Sequence, residues 1–297
     1  MSRVLFLTCL LLAAVLTAAP AAANLPGPPL AASGSLENLR QEKEPATLDA
    51  GGGLTMKLTG GGNFQENLLL ADRGRQVQDL EGGKFLDYAR LEQGPATYWV
   101  ISEFTGGAHC CARYHVLARP VASQAVRYLG ATGGDNGGPQ PLEKSFIIRQ
   151  GQLYLKRFDN RFDYFHASHA DSLLVNVPPV FYRLTPHSLT LDNAPFKDVY
   201  LKEARRVEEE IRQQQAQRRG KLQAILGPGP VPTHEFLQFT DPLGQLLVRR
   251  TILYLAAGEE QSAWESLARD VRRYYQSDKY LPELRREIAA NIKTDEQ

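Results

Sequence analysis

From Leu54 to Leu191 the sequence repeats one pattern: short alternating or β-branched runs, about 10 to 15 residues apart, separated by glycine and polar turns. The runs are Leu54–Leu58, Asn67–Ala71, Lys84–Leu91, Ala96–Phe104, Cys111–Ala118, Ala125–Leu129, Ser145–Arg149, Gln152–Phe158, Ser172–Val177, Val180–Leu184 and Ser188–Leu191. Ala96–Phe104, reading ATYWVISEF, is the strongest of them because β-branched and aromatic residues fill it. No helical period interrupts the series. Strands that follow one another without crossover helices pair antiparallel, so a β-rich body is expected, folded as a sandwich, a meander or a propeller-like sheet.

The pattern stops at Asp192, Asn193, Ala194 and Pro195, where a capping side chain and a first-turn proline predict the start of a helix. Val199, Tyr200, Val207 and Ile211 then fall on one side of a helical wheel, and Lys202, Glu203, Arg205, Arg206, Glu208, Glu209 and Glu210 cover the others. This charged helix is read as a solvated surface helix with one buried stripe. Gly227 to Pro232 forms a stiff connector, and helices are expected over 241–257, 260–276 and 282–292. Trp264, Leu267, Ala268, Val271 and Tyr275 give the second of these an apolar face. The expectation is an α+β chain: an antiparallel β-rich domain over 54–191, then a helical region over 192–297.

At the front, Arg3, the apolar run Val4–Leu16 and the small residues Ala21, Ala22 and Ala23 have the layout of a secretory signal peptide over 1–23. The run is about 13 residues long, short of the ~20 that span a bilayer. Residues 24–53, rich in Pro, Ala and Gly without a period, are read as a flexible mature N-terminus with order beginning near Leu54. A periplasmic or secreted protein with no membrane span after signal removal is expected. Without Arg3 the 34 basic residues become 33 against 33 acidic ones, a balance that argues against a nucleic-acid partner. Cys9 leaves with the signal, and two cysteines are too few for a disulfide framework, so the fold must rest on burial.

Those two, Cys110 and Cys111, are adjacent, between His109 and His115 and after Gly106 and Gly107. Neighbouring Cα atoms are ~3.8 Å apart, below the ~4.4 to 6.8 Å usual for disulfides. A Cys110–Cys111 bridge is therefore a strained, labile ring, yet an oxidising compartment offers the pair no other partner. In an extended strand the two side chains alternate between faces, which favours separate packed thiols. A metal reading takes His109, Cys110, Cys111 and His115 as ligands, although zinc sites usually space their cysteines more widely. A thiol-nucleophile reading needs an oriented base and an oxyanion hole, which Thr105 to Gly107 can supply through backbone N–H groups. The third member of such a triad is missing from the sequence.

Asp79, Leu80, Glu81, Gly82, Gly83, Lys84, Phe85, Leu86 and Asp87 place carboxylates around a glycine pair. Followed by a strand and the Gly106–Cys111 segment, this resembles one propeller blade of the FG-GAP or VCBS type, whose loops read D-x-D-G-D-G-x-x-D. Asp79, Glu81 and Asp87 match the first, third and ninth places, and Gly83 stands in the fifth, where the pattern has a carboxylate. The resemblance implies a calcium loop; the residues alone also fit a glycine hairpin. The stretch from Asp79 through Cys111, with Arg161–Tyr164 downstream, also resembles a group of uncharacterised exported bacterial proteins that share the Gly-Gly-Ala-His-Cys-Cys motif. That likeness implies export and a β-rich fold.

A third cluster, Phe158–Ser172, holds Arg161, Asp163, Tyr164, His166 and His169 as candidate binding residues, with Arg161 gripping an anion and Tyr164 or Phe165 stacking. The same residues also suit a long loop anchored by Phe162, Tyr164 and Phe165. With no complete catalytic signature, a cofactor-free binding or structural module of the cell envelope is expected, its partner an envelope protein, peptide or glycan. The alternative is a thiol- or metal-dependent enzyme centred on residues 105–115.

Overall fold

The computed structural model describes residues 27–41, 46–62, 65–106, 110–133, 135–136, 140–168, 170–226, 242–275, 278–279 and 281–293, with backbone alone at 41, 60–62, 110–111, 135–136, 217–226 and 293. Its first elements precede the point where order was expected: strand β1 (Ala32–Ser35), the short helix α1 (Glu37–Gln41) and strand β2 (Thr47–Asp49). β1 pairs antiparallel with a strand more than fifty residues later, Ala32 opposite Arg90 and Ser35 opposite Asp87. Leu36 follows it, completely buried. The flexible N-terminus read from composition is thus corrected over these residues. A four-residue strand of Ala, Ser and Gly has no period to detect, and its order comes from a distant sheet edge.

Three antiparallel sheets follow. β2 joins β3 (Leu54–Gly62), β4 (Gln65–Asp72) and β5 (Arg75–Gly82) in a meander. β6 (Lys84–Gln93), β7 (Ala96–Phe104), β8 (Cys110–Pro120) and β9 (Arg127–Ala131) form the second sheet, with β1 on the free edge of β6 and β10 (Asp135–Asn136) beside the start of β8. β11 (Phe146–Arg149), β12 (Gln152–Phe158), β13 (Pro179–Leu184) and β14 (Leu189–Leu191) make the third. β5 was not expected as a strand; its buried Leu80 is flanked by exposed Asp79 and Glu81, so charge hid the alternation.

Alternation along the strands stacks the layers. Leu54, Met56, Leu68 and Leu70 of the first sheet pack on Phe85, Trp99, Ile101 and Leu117 of the second. The opposite face of the second sheet, with Tyr98, Val100, Tyr114 and Val116, packs on Phe146, Leu153, Leu155 and Leu184 of the third. Ile147, Tyr154 and Phe181 on the far face of the third sheet meet the helices. β7 is therefore buried on both faces, which is why its sequence is nearly continuously apolar. The α+β organisation holds: antiparallel sheets first, then helices α2 (Lys197–Leu226), α3 (Pro242–Ala256), α4 (Glu260–Tyr275) and α5 (Leu281–Lys293).

Two local expectations give way to tertiary contacts. Ser172–Val177 is a turn and not a strand: the Asn176 N–H donates to Asp163 Oδ1 at 3.0 Å and the Leu173 N–H to Gln245 Oε1 at 2.5 Å, while Leu174 and Val177 are buried. Side chains and a helix thus satisfy the backbone that a sheet ladder was expected to hold. At the helical boundary Asn193 does not cap the helix. Its Oδ1 accepts the Phe181 N–H at 2.9 Å, tying the turn Ala194–Phe196 to β13 before α2 begins. The connector 227–232 lies outside the described residues.

Candidate functional site

The polar end of ATYWVISEF is the origin of the site. Ser102 and Glu103 continue the alternation of β7 into both cores, so each must find a partner inside. Ser102 Oγ accepts the Asp87 N–H at 3.0 Å, at the irregularity in β6 between Phe85 and Tyr88. Glu103 is 1 % exposed and lies on the Trp99 and Ile101 face, toward the first sheet. Its Oε1 accepts the Gly83 N–H at 2.6 Å and its Oε2 faces His115 Nε2 at 2.8 Å. His115, 5 % exposed, comes from β8, and its Nδ1 meets the Tyr128 hydroxyl of β9 at 2.9 Å. Phe85 walls the ring, with centroids 5.8 Å apart.

Glycine is required at the crossing from the first sheet to the second. A Cβ on Gly82 would run into the Glu103 carboxylate, and one on Gly83 into the Phe104 carbonyl and the Thr105 backbone. Gly82 and Gly83 are therefore a crossover that lets a carboxylate and a strand approach the backbone, not the tip of a hairpin. Beside it, buried Glu66 accepts the Phe85 N–H at 2.8 Å and is gripped by Arg40 at 2.6 and 2.7 Å. Arg40 also donates to the Phe85 carbonyl, so α1 is fastened to both sheets at this end.

Burial pushes the Glu103 carboxyl up, but the hydrogen bonds from His115 and Gly83 and the charge of Arg113 outweigh it and hold the group below its usual range. An ionised Glu103 can only accept, so the Nε2–H of His115 donates to it. The Tyr128 phenol is itself shifted up, first by burial. Arg113 pairs in register with Glu103 across β7 and β8, yet its Nη1 stays 3.9 Å from Oε2 and its side chain is 47 % exposed.

The candidate ligands from the sequence divide. His115 lies in this buried chain with both ring nitrogens engaged by protein groups. Cys110 and Cys111 begin β8, where the backbone of Cys110 pairs with Asn136, and only their backbone is described. His109 lies outside the described residues. Among the described residues no three His, Cys, Asp or Glu side chains converge as a metal site. Asp79 and Glu81 project from β5 and Asp87 from β6, each exposed.

In the third cluster Arg161 grips Asp159, Nε to Oδ1 at 2.8 Å, and donates through Nη1 to the Ile292 carbonyl at the end of α5. His166 faces Glu287 of the same helix at 2.7 Å. Asp163 is buried and holds the Asn176 N–H, Phe162 and Phe165 enter the helical core, and Tyr164 is exposed. His169 lies outside the described residues. The contacts of Arg161 and His166 join this loop to α5.

Glu103, Tyr128, Arg113, Glu66 and Arg40 were not singled out in the sequence. One signal was there: a carboxylate at the end of a strand with no solvent face must be paired. Fold and site define a layered α+β protein with a buried Glu–His–Tyr chain at one end of its stacked sheets. Compared with models of protein families, with curated proteins and with solved structures, the chain finds no match. Among the described residues no helix is long and apolar enough to cross a membrane.

Proposed function

We propose that the chain is an exported, non-catalytic binding module of the cell envelope whose binding surface is the end of the stack where β7 gives way to β8. One observation carries this reading: β3, β5, β7 and β9 end, and β4, β6, β8 and β10 begin, at that end, where Gly62, Gly82, Gly83, Gly106 and Gly133 lie. Beneath them lies the Glu103–His115–Tyr128 chain, with Arg113 at its solvent side. Glycine-bearing connections on a rigid sheet scaffold offer backbone N–H and C=O groups to a ligand at little steric cost. The partner is an envelope protein, peptide or glycan. The test is retention of the purified chain on isolated envelope fractions, competed by soluble fragments of them. Retention by none of the fractions, with turnover that depends on Cys111, sinks the proposal.

A second reading is a thiol-dependent enzyme centred on residues 105–115. What favours it is that Glu103 orients His115, the part a cysteine and histidine alone lacked. Free-thiol counting by mass spectrometry, with metal analysis, separates the readings. An intact Cys110–Cys111 bridge without metal removes most of the enzymatic one, and activity unaltered by Cys110→Ser and Cys111→Ser removes the rest.

A further inference from the structure

We infer that the glycine turn at residues 51–53, with Arg73 and Arg90, is a seat for a phosphate group, free or carried by a sugar. The inference goes beyond the binding-module reading and does not rest on it. The turn lies at the opposite end of the stack, where β3 begins and β4 and β8 end. Gly52 and Gly53 hold its central places, both at positive φ, and the Leu54 N–H closes it on the Gly51 carbonyl at 3.3 Å. The carbonyls all serve the fold. Ala50 accepts Trp99 Nε1 at 3.3 Å, Gly52 accepts Arg119 Nη1 and Gly53 accepts the Arg73 N–H at 2.8 Å. The N–H groups of Gly52 and Gly53 donate to nothing among the described residues, and Gly52 is exposed. The Gly51 N–H already holds an anionic oxygen, Asp49 Oδ1 at 2.8 Å.

Three guanidinium groups press on these three glycines. A Cβ on Gly51 would run into Arg90 Nη1, one on Gly52 would lie 3.2 Å from Arg119 Nη1, and one on Gly53 3.5 Å from Arg73 Nε. Arg119 is spent on the fold, paired with Asp72 at 2.5 Å and lying over the Trp99 ring. Arg90 pairs with Glu92 through Nη2 at 2.9 Å, while its Nη1 donates no hydrogen bond among the described residues. Arg73 is exposed, and among the described residues its guanidinium makes neither a hydrogen bond nor an ion pair. Its backbone bond to Gly53 holds it against the turn. Open backbone donors beside a planar cationic fork are the elements of an oxyanion site. Their number suits a phosphate, with three acceptor oxygens and nearly double charge.

Calorimetric titration at low ionic strength with inorganic phosphate and with glucose 1-phosphate tests the seat and separates the two sources. Binding of at least one probe is expected, weakened roughly tenfold or more by Arg73→Gln, since a charged hydrogen-bond partner is removed. Arg205→Gln deletes the same charge from an exposed position on α2 and should leave affinity unchanged. Asp49→Asn keeps an oxygen for the Gly51 N–H and removes a competing negative charge, so it should tighten binding a few-fold. Equal affinities for the two probes mean that the seat reads phosphate alone; tighter binding of the sugar phosphate means that it reads the ester. Binding of neither probe overturns the inference. So does wild-type affinity in Arg73→Gln, equal weakening in Arg73→Gln and Arg205→Gln, or binding no tighter in Asp49→Asn.

Discussion

Glu103 and His115 meet across β7 and β8, Oε2 to Nε2 at 2.8 Å, with both residues out of solvent. The pair makes stability fall in acid. The folded pKa of Glu103 lies below its unfolded value near 4.5, so its stabilisation is complete above that value and is lost as pH falls through the folded one. Urea unfolding from pH 7 to pH 3 should show stability falling below about pH 4.5, with a shallower fall in Glu103→Gln. His115→Ala should cost about 1 to 3 kcal/mol at pH 7, because it takes a hydrogen bond from a buried carboxylate.

The crossover glycines are tested by adding one methyl group. Gly83→Ala drives its Cβ into the backbone of Phe104 and Thr105, which cannot move aside as a side chain would. A loss of about 1 to 3 kcal/mol is expected. At Gly133 the nearest neighbour of such a Cβ is the Tyr182 hydroxyl at 3.5 Å, so Gly133→Ala should change stability by less than about 0.5 kcal/mol. Thermal unfolding of the two variants side by side checks both.

These two sites show what the sequence could and could not reveal. The helices were legible because their apolar spacing and their Pro and Gly punctuation are local, and most strands were legible from alternation. Glu103 was in plain view in ATYWVISEF, and the nearly continuous apolar run is the local mark of a strand covered on both faces, but which groups pair with Glu103 is set by distant strands. Gly82 and Gly83 suggested a turn because glycine usually does; the reason for them is a carboxylate about twenty residues away. β1 lacks any apolar stripe, and its partner is the distant edge of β6. In each case the determining contact is long-range.

The N-terminal segment should behave as part of the fold. Leu36 is fully buried in the first core, and Gly34 faces Tyr88 so closely that a Cβ would lie 2.8 Å from its ring. Leu36→Ala is expected to cost about 2 to 5 kcal/mol. Limited proteolysis should then cleave within residues 27–41 sooner than in the wild type. Equal cleavage rates would show that Leu36 does not hold the segment down.

Among the helices, Arg250 of α3 and Asp270 of α4 form a buried pair, Nη1 to Oδ2 at 2.7 Å, with Arg269 reaching the other oxygen at 2.9 Å. Nε and Nη2 of Arg250 are buried without a hydrogen-bond partner among the described residues, so the pair leaves much of its desolvation unrecovered. Asp270→Ala strands the arginine and should cost about 3 to 5 kcal/mol. Replacing both residues, as Arg250→Met with Asp270→Leu, removes the stranded charge together with its partner. The double variant should therefore lose clearly less than the sum of the single changes, and can equal the wild type. A double-mutant cycle by urea unfolding decides it. Additive losses would mean that the two charges do not depend on each other, and that the helical core tolerates each of them alone.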